Sequence, residues 1–145
     1  MPSKSEAVLQ ALFAALNAGK PPGSVLLRNS VLPERVPVAG IAILRDGEPG
    51  DPEVLLSPTL YIYEHRADLE LVVDLATPAL RDAAFDSWKT AVGSVLTSNR
   101  SLGGLCDYVQ GEAPSPVDLV EEGTDGMKAA ILGILLTYQT SDPLF

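Results

Sequence analysis

Apolar residues recur at the helical period near the start of the chain, with Val8, Leu12, Ala15 and Leu16 on one stripe that Leu9 and Phe13 widen. This spacing predicts an amphipathic helix over residues 5–18. Ser3 or Ser5 is placed to cap it and Gly19 to end it, and Pro21 and Pro22 then forbid continuation. Residues 24–28 and 40–44 are short aliphatic or β-branched runs and read as strands. Residues 45–58 hold Asp46-Gly47, Pro49-Gly50-Asp51-Pro52 and a final Pro58 around the apolar patch Val54 to Leu56, which reads as a long exposed connection. Residues 59–66 and 69–75 alternate apolar and polar positions, and Ala67-Asp68 between them reads as the turn of a β-hairpin.

Thr77-Pro78 starts a second helix, because threonine can cap free amides and proline at the first helical position gives up no hydrogen bond. That helix runs to about Ser98. Leu80, Ala84, Trp88, Ala91, Val92, Val95 and Leu96 share one face, which points Trp88 into the core. After Gly103-Gly104, residues 105–110 alternate as a strand, and a further strand or edge is expected over 117–120. Residues 127–140 have a run that fits a buried helix by periodicity, but their β-branched residues, Gly133 and the Thr137-Tyr138-Gln139-Thr140 ending favour a strand that is apolar on both faces. The expected fold is therefore one α+β domain over residues 1–145, with two main helices packed on one face of a mostly antiparallel sheet. The other face of the doubly apolar strand then needs a covering layer, which packing between copies can supply.

Ten Lys and Arg against nineteen Asp and Glu give a net charge of −9, which repels nucleic acid at long range. Residues 101–127 contain no Lys or Arg, while Asp107, Glu112, Asp118, Glu121, Glu122 and Asp125 make them a local negative source. They read as a solvated edge, or as a surface for a basic partner. Cys106 is the sole cysteine, so no disulfide can form within the chain, and in an alternating strand it reads as a small buried hydrophobe. The first twenty residues lack the pattern of a signal peptide, and the longest apolar run, 129–136, is far short of a membrane span. The expectation is a protein made and kept in the cytosol.

The chemistry-bearing residues are few. There is no phosphate-binding loop, since the one Gly-Lys pair, Gly19-Lys20, runs into prolines. His65 is the sole histidine and lies between Glu64 and Arg66, which reads as an exposed polar strand face. Any nucleophilic mechanism must use it, with Cys106 and Asp107 or with a serine. The acidic stretches 46–51 and 121–126 lack the ligand spacing of a calcium loop and read as solvated turns. No catalytic, cofactor-binding or metal-ligating residue is assigned, and no cofactor.

The order of elements also carries a resemblance. A helix with Glu6-Ala7-Val8-Leu9, then Arg28-Asn29, a Glu64-bearing strand hairpin, a long helix and Leu102-Gly103-Gly104 before Tyr108-Val109 resembles the tail terminator proteins of long-tailed phages and gene transfer agents. The stretch LTSNRSLGGLCDYV at 96–109 is similar to that family's helix end, polar turn and following strand, and LTYQT at 136–140 to its last strand. The resemblance implies a non-enzymatic subunit of a homo-oligomeric ring, usually a hexamer. Such a ring caps the tail tube, ends its polymerisation and meets the head-tail connector while DNA passes through without specific binding. It implies a place in the virion tail, assembled in the host cytoplasm, and no membrane partner. Another head-tail joining (neck) protein, or a small hydrolase or acyl transferase built on His65, are the competing readings.

Overall fold

The computed structural model describes residues 1–117 and 126–145. Its elements run α1 (Lys4–Gly19), β1 (Val25–Arg28), β2 (Ile41–Glu48), β3 (Glu53–Leu55), β4 (Leu60–Asp74), α2 (Pro78–Ser98), β5 (Tyr108–Gly111), β6 (Ser115–Val117) and β7 (Met127–Thr140). This is an α+β fold with a mostly antiparallel sheet. The order across the sheet is β1-β2-β4-β7-β5, with β3 paired to the start of β4 and β6 to the start of β7. One pair, β1 with β2, is parallel, and the twelve residues between them, 29–40, make the return that parallel strands require.

The two longest strands form the spine, β4 and β7 pairing continuously from Tyr61 with Thr140 to Asp74 with Met127. β7 lies where the sequence places it. β4 does not divide into a hairpin at Ala67-Asp68. Both residues sit mid-strand, opposite Ile134 and Gly133, and Ala67 is fully buried. The inward positions Tyr63, His65, Ala67, Leu69, Leu71 and Val73 keep one parity throughout, so nothing in the backbone turns. β2 also extends past the expected end to Glu48, and β3 forms a hairpin with β4, so much of the supposed connection over 45–58 is strand. In the other direction, β5 begins only at Tyr108. Leu105, Cys106 and Asp107 sit in the turn after α2, where Ser101 O accepts from Cys106 N and Leu102, Gly103 and Gly104 all adopt positive φ. β6 ends at Val117, and the rest of the strand expected over 117–120 lies outside the described residues, as does most of the acidic turn at 121–126.

Both helices cover the same sheet face. Val8, Leu9, Leu12 and Leu16 of α1 and Phe85, Trp88, Val92 and Leu96 of α2 meet Leu26, Ala42, Leu44, Leu69, Leu71, Val73, Leu132, Ile134 and Leu136 in one core. Burying eight such side chains, each worth about 1.5–3 kcal/mol, is what holds the helices to the sheet. Ser3 caps α1 as expected, accepting from Glu6 N at 3.4 Å, and Gly19 ends it where a side chain would collide with Val95 of α2. Thr77 makes no side-chain cap hydrogen bond. Leu80, expected on the core face, is 60% exposed because the first turn of α2 overhangs the end of the sheet beyond Asp74.

The opposite sheet face has no helix on it. Ile41, Ile43 and Val72 are buried there, while Ala129, Ile131 and Leu135 are half-buried. Part of the covering layer that β7 needs comes from the chain itself. Arg66 crosses the strand with its guanidinium over Gly133, where an added Cβ would stand 2.7 Å from Nη2, and pairs with Glu112 at 3.3 Å and Asp68 at 3.4 Å. Arg45 and Glu70 pair at 3.3 Å beside them. Long charged side chains laid flat shield apolar surface while their heads stay wet.

Candidate functional site

His65 occupies an inward position of β4, 4% exposed, and not the exposed face its charged neighbours suggest. Its Nε2 lies 2.6 Å from the Asp46 carbonyl oxygen and its Nδ1 2.8 Å from Tyr138 Oη. A carbonyl has no hydrogen to give, so Nε2 carries the proton and Nδ1 of the neutral ring accepts from the tyrosine hydroxyl. Both nitrogens are thereby engaged. Tyr138 stacks obliquely on Tyr63, ring centroids 5.7 Å apart, and burial, followed by the charge of Tyr63, pushes its phenol up to about 12.

The network continues outward from Asp46. Its backbone N–H donates to Asn29 Oδ1 at 3.1 Å, and its carboxylate receives Arg28 Nε at 3.0 Å. Arg28 also clasps Glu6 of α1 with two bonds of 2.8 Å, a bidentate pair that ties the first helix to β1 and β2. That hydrogen bond, opposed by burial, holds the Glu6 carboxyl below its ordinary value, and the pairing raises Arg28. Sequence reasoning missed this chain, since Glu6, Arg28, Asp46, His65 and Tyr138 come from four strands and a helix with no local signature. Only the Asp46-Gly47 step marked the bulge that aims the Asp46 carbonyl inward.

Two outcomes follow from these contacts. Tyr138→Phe keeps the ring but leaves the buried His65 Nδ1 without its donor, so stability in urea falls by about 1–3 kcal/mol. It also changes the alkaline limb. A phenol whose folded value is raised contributes stability that is complete below its unfolded value of about 10 and is lost as pH rises towards the folded value of about 12. Tyrosinate absorbance is therefore expected to show a late-titrating component from Tyr138 in the native chain that the variant loses. For Glu6 the sign is opposite, because a depressed carboxyl contributes above its unfolded value of about 4.3 and loses that contribution as pH falls through the lower folded value. The melting-temperature difference between the native chain and Glu6→Gln is expected to narrow as pH falls from about 5; a constant gap would refute the Arg28 clasp as its source.

The residues that sequence spacing allowed as a nucleophilic set are not assembled. Cys106 is 5% exposed, its Sγ donating weakly to Arg100 O at 3.7 Å, and burial, then the charge of Asp107, pushes its thiol up. It is buried as expected, though in a turn and not a strand. The Asp107 carboxylate receives Gln139 Nε2 at 3.3 Å, so neither residue shares a hydrogen bond with His65. Asp46 and Glu48, read as parts of a solvated turn, lie in β2, with Asp46 taken by Arg28. Within the acidic stretch, Glu112 pairs with Arg66, and Asp118, Glu121, Glu122 and Asp125 lie outside the described residues.

Glu6, Asp46, His65 and Tyr138 line a cavity of about 260 Å³ together with Leu9 and Phe145, and elsewhere apolar surface is open to other molecules. The β3–β4 hairpin projects Val54, Leu55 and Leu56, each exposed. At the far end of β4, Leu75 joins Pro21, Pro22, Val38, Leu80 and Ala84 around an apolar groove of about 600 Å³. Among the described residues no helix is long and apolar enough to cross a membrane. No family model and no curated protein matches the chain. Among solved structures it is similar to a chain of the virion of a native gene transfer agent particle, at 13% identity and a TM-score of 0.47, with 94% of each chain covered.

Proposed function

We propose that the chain is a structural virion protein, a tail-terminator-like domain spanning residues 1–145 that forms a ring, caps the tail tube, ends its polymerisation and contributes to the head-tail junction. The observation that carries this is the one-sided sheet. Two helices bury one face, while the other keeps half-buried Ile131 and Leu135 among paired charges, a surface suited to packing against further protein. The two helices, the last strand and the Leu102-Gly103-Gly104 turn that supported the resemblance recur in the fold, with Leu102 buried as the anchor of that turn, whereas the Glu64-bearing hairpin is one continuous strand. The groups best suited to chemistry, His65 and Cys106, serve internal contacts, which favours a non-enzymatic role. Self-association, a tail tube protein and a head-tail connector are the partners of this reading, and the net charge of −9 suits a ring that lets DNA pass without holding it.

The test is to add the purified chain to polymerising tube protein of the same particle and to measure tube length by electron microscopy. Shorter tubes with density at one end are expected. Tubes that lengthen unchanged, with the chain bound to the connector alone, would replace tube capping by a neck role.

A further inference from the structure

We propose that the cavity beside His65 is a binding site for an alkylammonium group, carried by a free amine or by a lysine side chain of a partner protein. It lies on the helix-covered side of the sheet, away from the open face that carries the assembly role above, and does not depend on that role.

The cavity holds about 260 Å³, below the roughly 300–1,000 Å³ of sites for drug-sized molecules, so its occupant is small. Its polar lining offers acceptors. Arg28 clasps both oxygens of Glu6 but reaches Asp46 through Oδ1, and Asp46 Oδ2 accepts no hydrogen bond among the described residues. Tyr138 gives its proton to His65 Nδ1, which leaves its oxygen free to accept. His65 has no further N–H to offer, because its proton goes to the Asp46 carbonyl. Tyr63 is 8% exposed, and its hydroxyl makes no hydrogen bond among the described residues. Of the buried side-chain polar atoms in those residues, only Trp88 Nε1 is sealed in without a partner, so the unpaired Tyr63 hydroxyl opens on the cavity that its residue lines. A hydroxyl held away from bulk water with no partner carries a desolvation cost that a ligand relieves.

The electrostatics select a cation. Glu6 and Asp46 bring two carboxylates and Arg28 one guanidinium, and no Lys or Arg among the described residues lines the cavity, so one negative charge is left uncompensated. A carboxylate or phosphate is repelled there. A metal ion is not favoured either, since no group of three His, Cys, Asp or Glu among the described residues is placed to hold one. An ammonium has three donors and no acceptor, which matches a lining of Asp46 Oδ2, Tyr63 Oη and Tyr138 Oη. The rings of Tyr63, Tyr138 and Phe145 add an attraction for a cation that an uncharged alcohol of the same shape does not receive. Leu9 and Pro143 give a short alkyl stem an apolar wall.

Titration of the full chain with n-butylamine, n-butanol and Nα-acetyl-lysine amide, followed by backbone amide chemical shifts at constant pH and ionic strength, tests this. n-Butylamine is expected to give saturable shifts at Asp46, Tyr63, His65 and Tyr138, and to bind at least about tenfold more tightly than n-butanol, as a charge-assisted hydrogen bond requires. Tyr63→Phe, which keeps the ring and removes the hydroxyl, is expected to weaken n-butylamine about three- to tenfold. Asp46→Asn is expected to weaken it about tenfold or more while leaving n-butanol unchanged. Circular dichroism checks that each variant folds, and Tyr63→Phe decides the matter alone should Asp46→Asn unfold. The source of the ammonium is read from the third probe. Nα-acetyl-lysine amide that binds as tightly as n-butylamine assigns the site to a partner's lysine, whereas much weaker binding assigns it to a free amine. No saturable binding of either amine, equal affinity for n-butylamine and n-butanol, native affinity in Tyr63→Phe, or an Asp46→Asn loss shared equally by amine and alcohol would each overturn the proposal.

Discussion

Trp88→Ala is expected to lower the unfolding free energy by about 3–5 kcal/mol, a large share of the 5–15 kcal/mol that holds a domain of this size together. Trp88 is fully buried at the centre of α2, with Phe85, Val92 and Leu96 on the same face. Gly40 approaches its indole so closely that an added Cβ would lie 2.9 Å from Nε1 and 3.2 Å from Val73 Cγ2. Truncation empties this space, and the backbone of Gly40 cannot fill it. Alanine's higher helix propensity returns only a few tenths of a kcal/mol. Among the described residues the indole N–H has no hydrogen-bond partner, so Trp88→Phe, which removes that donor and keeps a ring, is expected to cost far less than Trp88→Ala. Urea unfolding followed by circular dichroism measures both. Equal losses for the two variants would mean that the indole's packing is not what α2 depends on. The native chain also has a spectroscopic marker, since its single tryptophan is dry and its emission should lie well to the blue of exposed indole.

Trp88 shows which parts of this fold are readable from sequence. A helix that lies on a sheet repeats its apolar residues with its own geometry, so α1, α2 and the inward role of Trp88 follow from local spacing. β7 was legible for the same reason, its β-branched residues outweighing a helical run. The misreadings share a different cause. Ala67-Asp68 contains none of the glycine, asparagine or proline that tight turns need, and the inward parity from Tyr63 to Val73 never slips; the expected hairpin rested on reading that pair as a break between two alternating runs, where the chain instead continues as one strand of fifteen residues, far beyond the usual five or six. The same parity put His65 inside, and its identity as a polar residue between two charges obscured it. Leu80 obeys the helical stripe but lies past the end of the sheet it should cover, a fact of element lengths that no periodicity carries. The candidate surfaces were half visible. Val54 to Leu56 stood out as an apolar patch, but the groove is assembled from 21–23, 38–39, Leu75 and α2, which only the fold brings together.

Gly47→Ala is expected to cost about 3–5 kcal/mol, at the extreme of single substitutions, although the residue is exposed and its neighbours Asp46 and Glu48 suggest an ordinary turn. The register of β2 on β4 moves from Arg45 opposite Asp68 to Glu48 opposite Arg66, so Asp46 and Gly47 together face the single residue Ala67. This is a bulge with its glycine at φ +70, a region that costs a residue with a side chain about 1–2 kcal/mol. Steric conflict adds the rest, because a Cβ at position 47 would fall on the Arg66 carbonyl oxygen and close to Ala67 Cα, which are backbone atoms of the central strand. Relief requires β2 to lift from β4, and that withdraws the Asp46 carbonyl from His65 Nε2 and the Asp46 carboxylate from Arg28. Gly50→Ala separates the two causes, since Gly50 has nearly the same φ of +71 with nothing near its missing side chain. It is expected to lose about 1–2 kcal/mol from backbone strain alone. Similar losses for the two variants in urea would mean that β2 shifts freely at the bulge, and that the chain of contacts from Glu6 to Tyr138 does not depend on it.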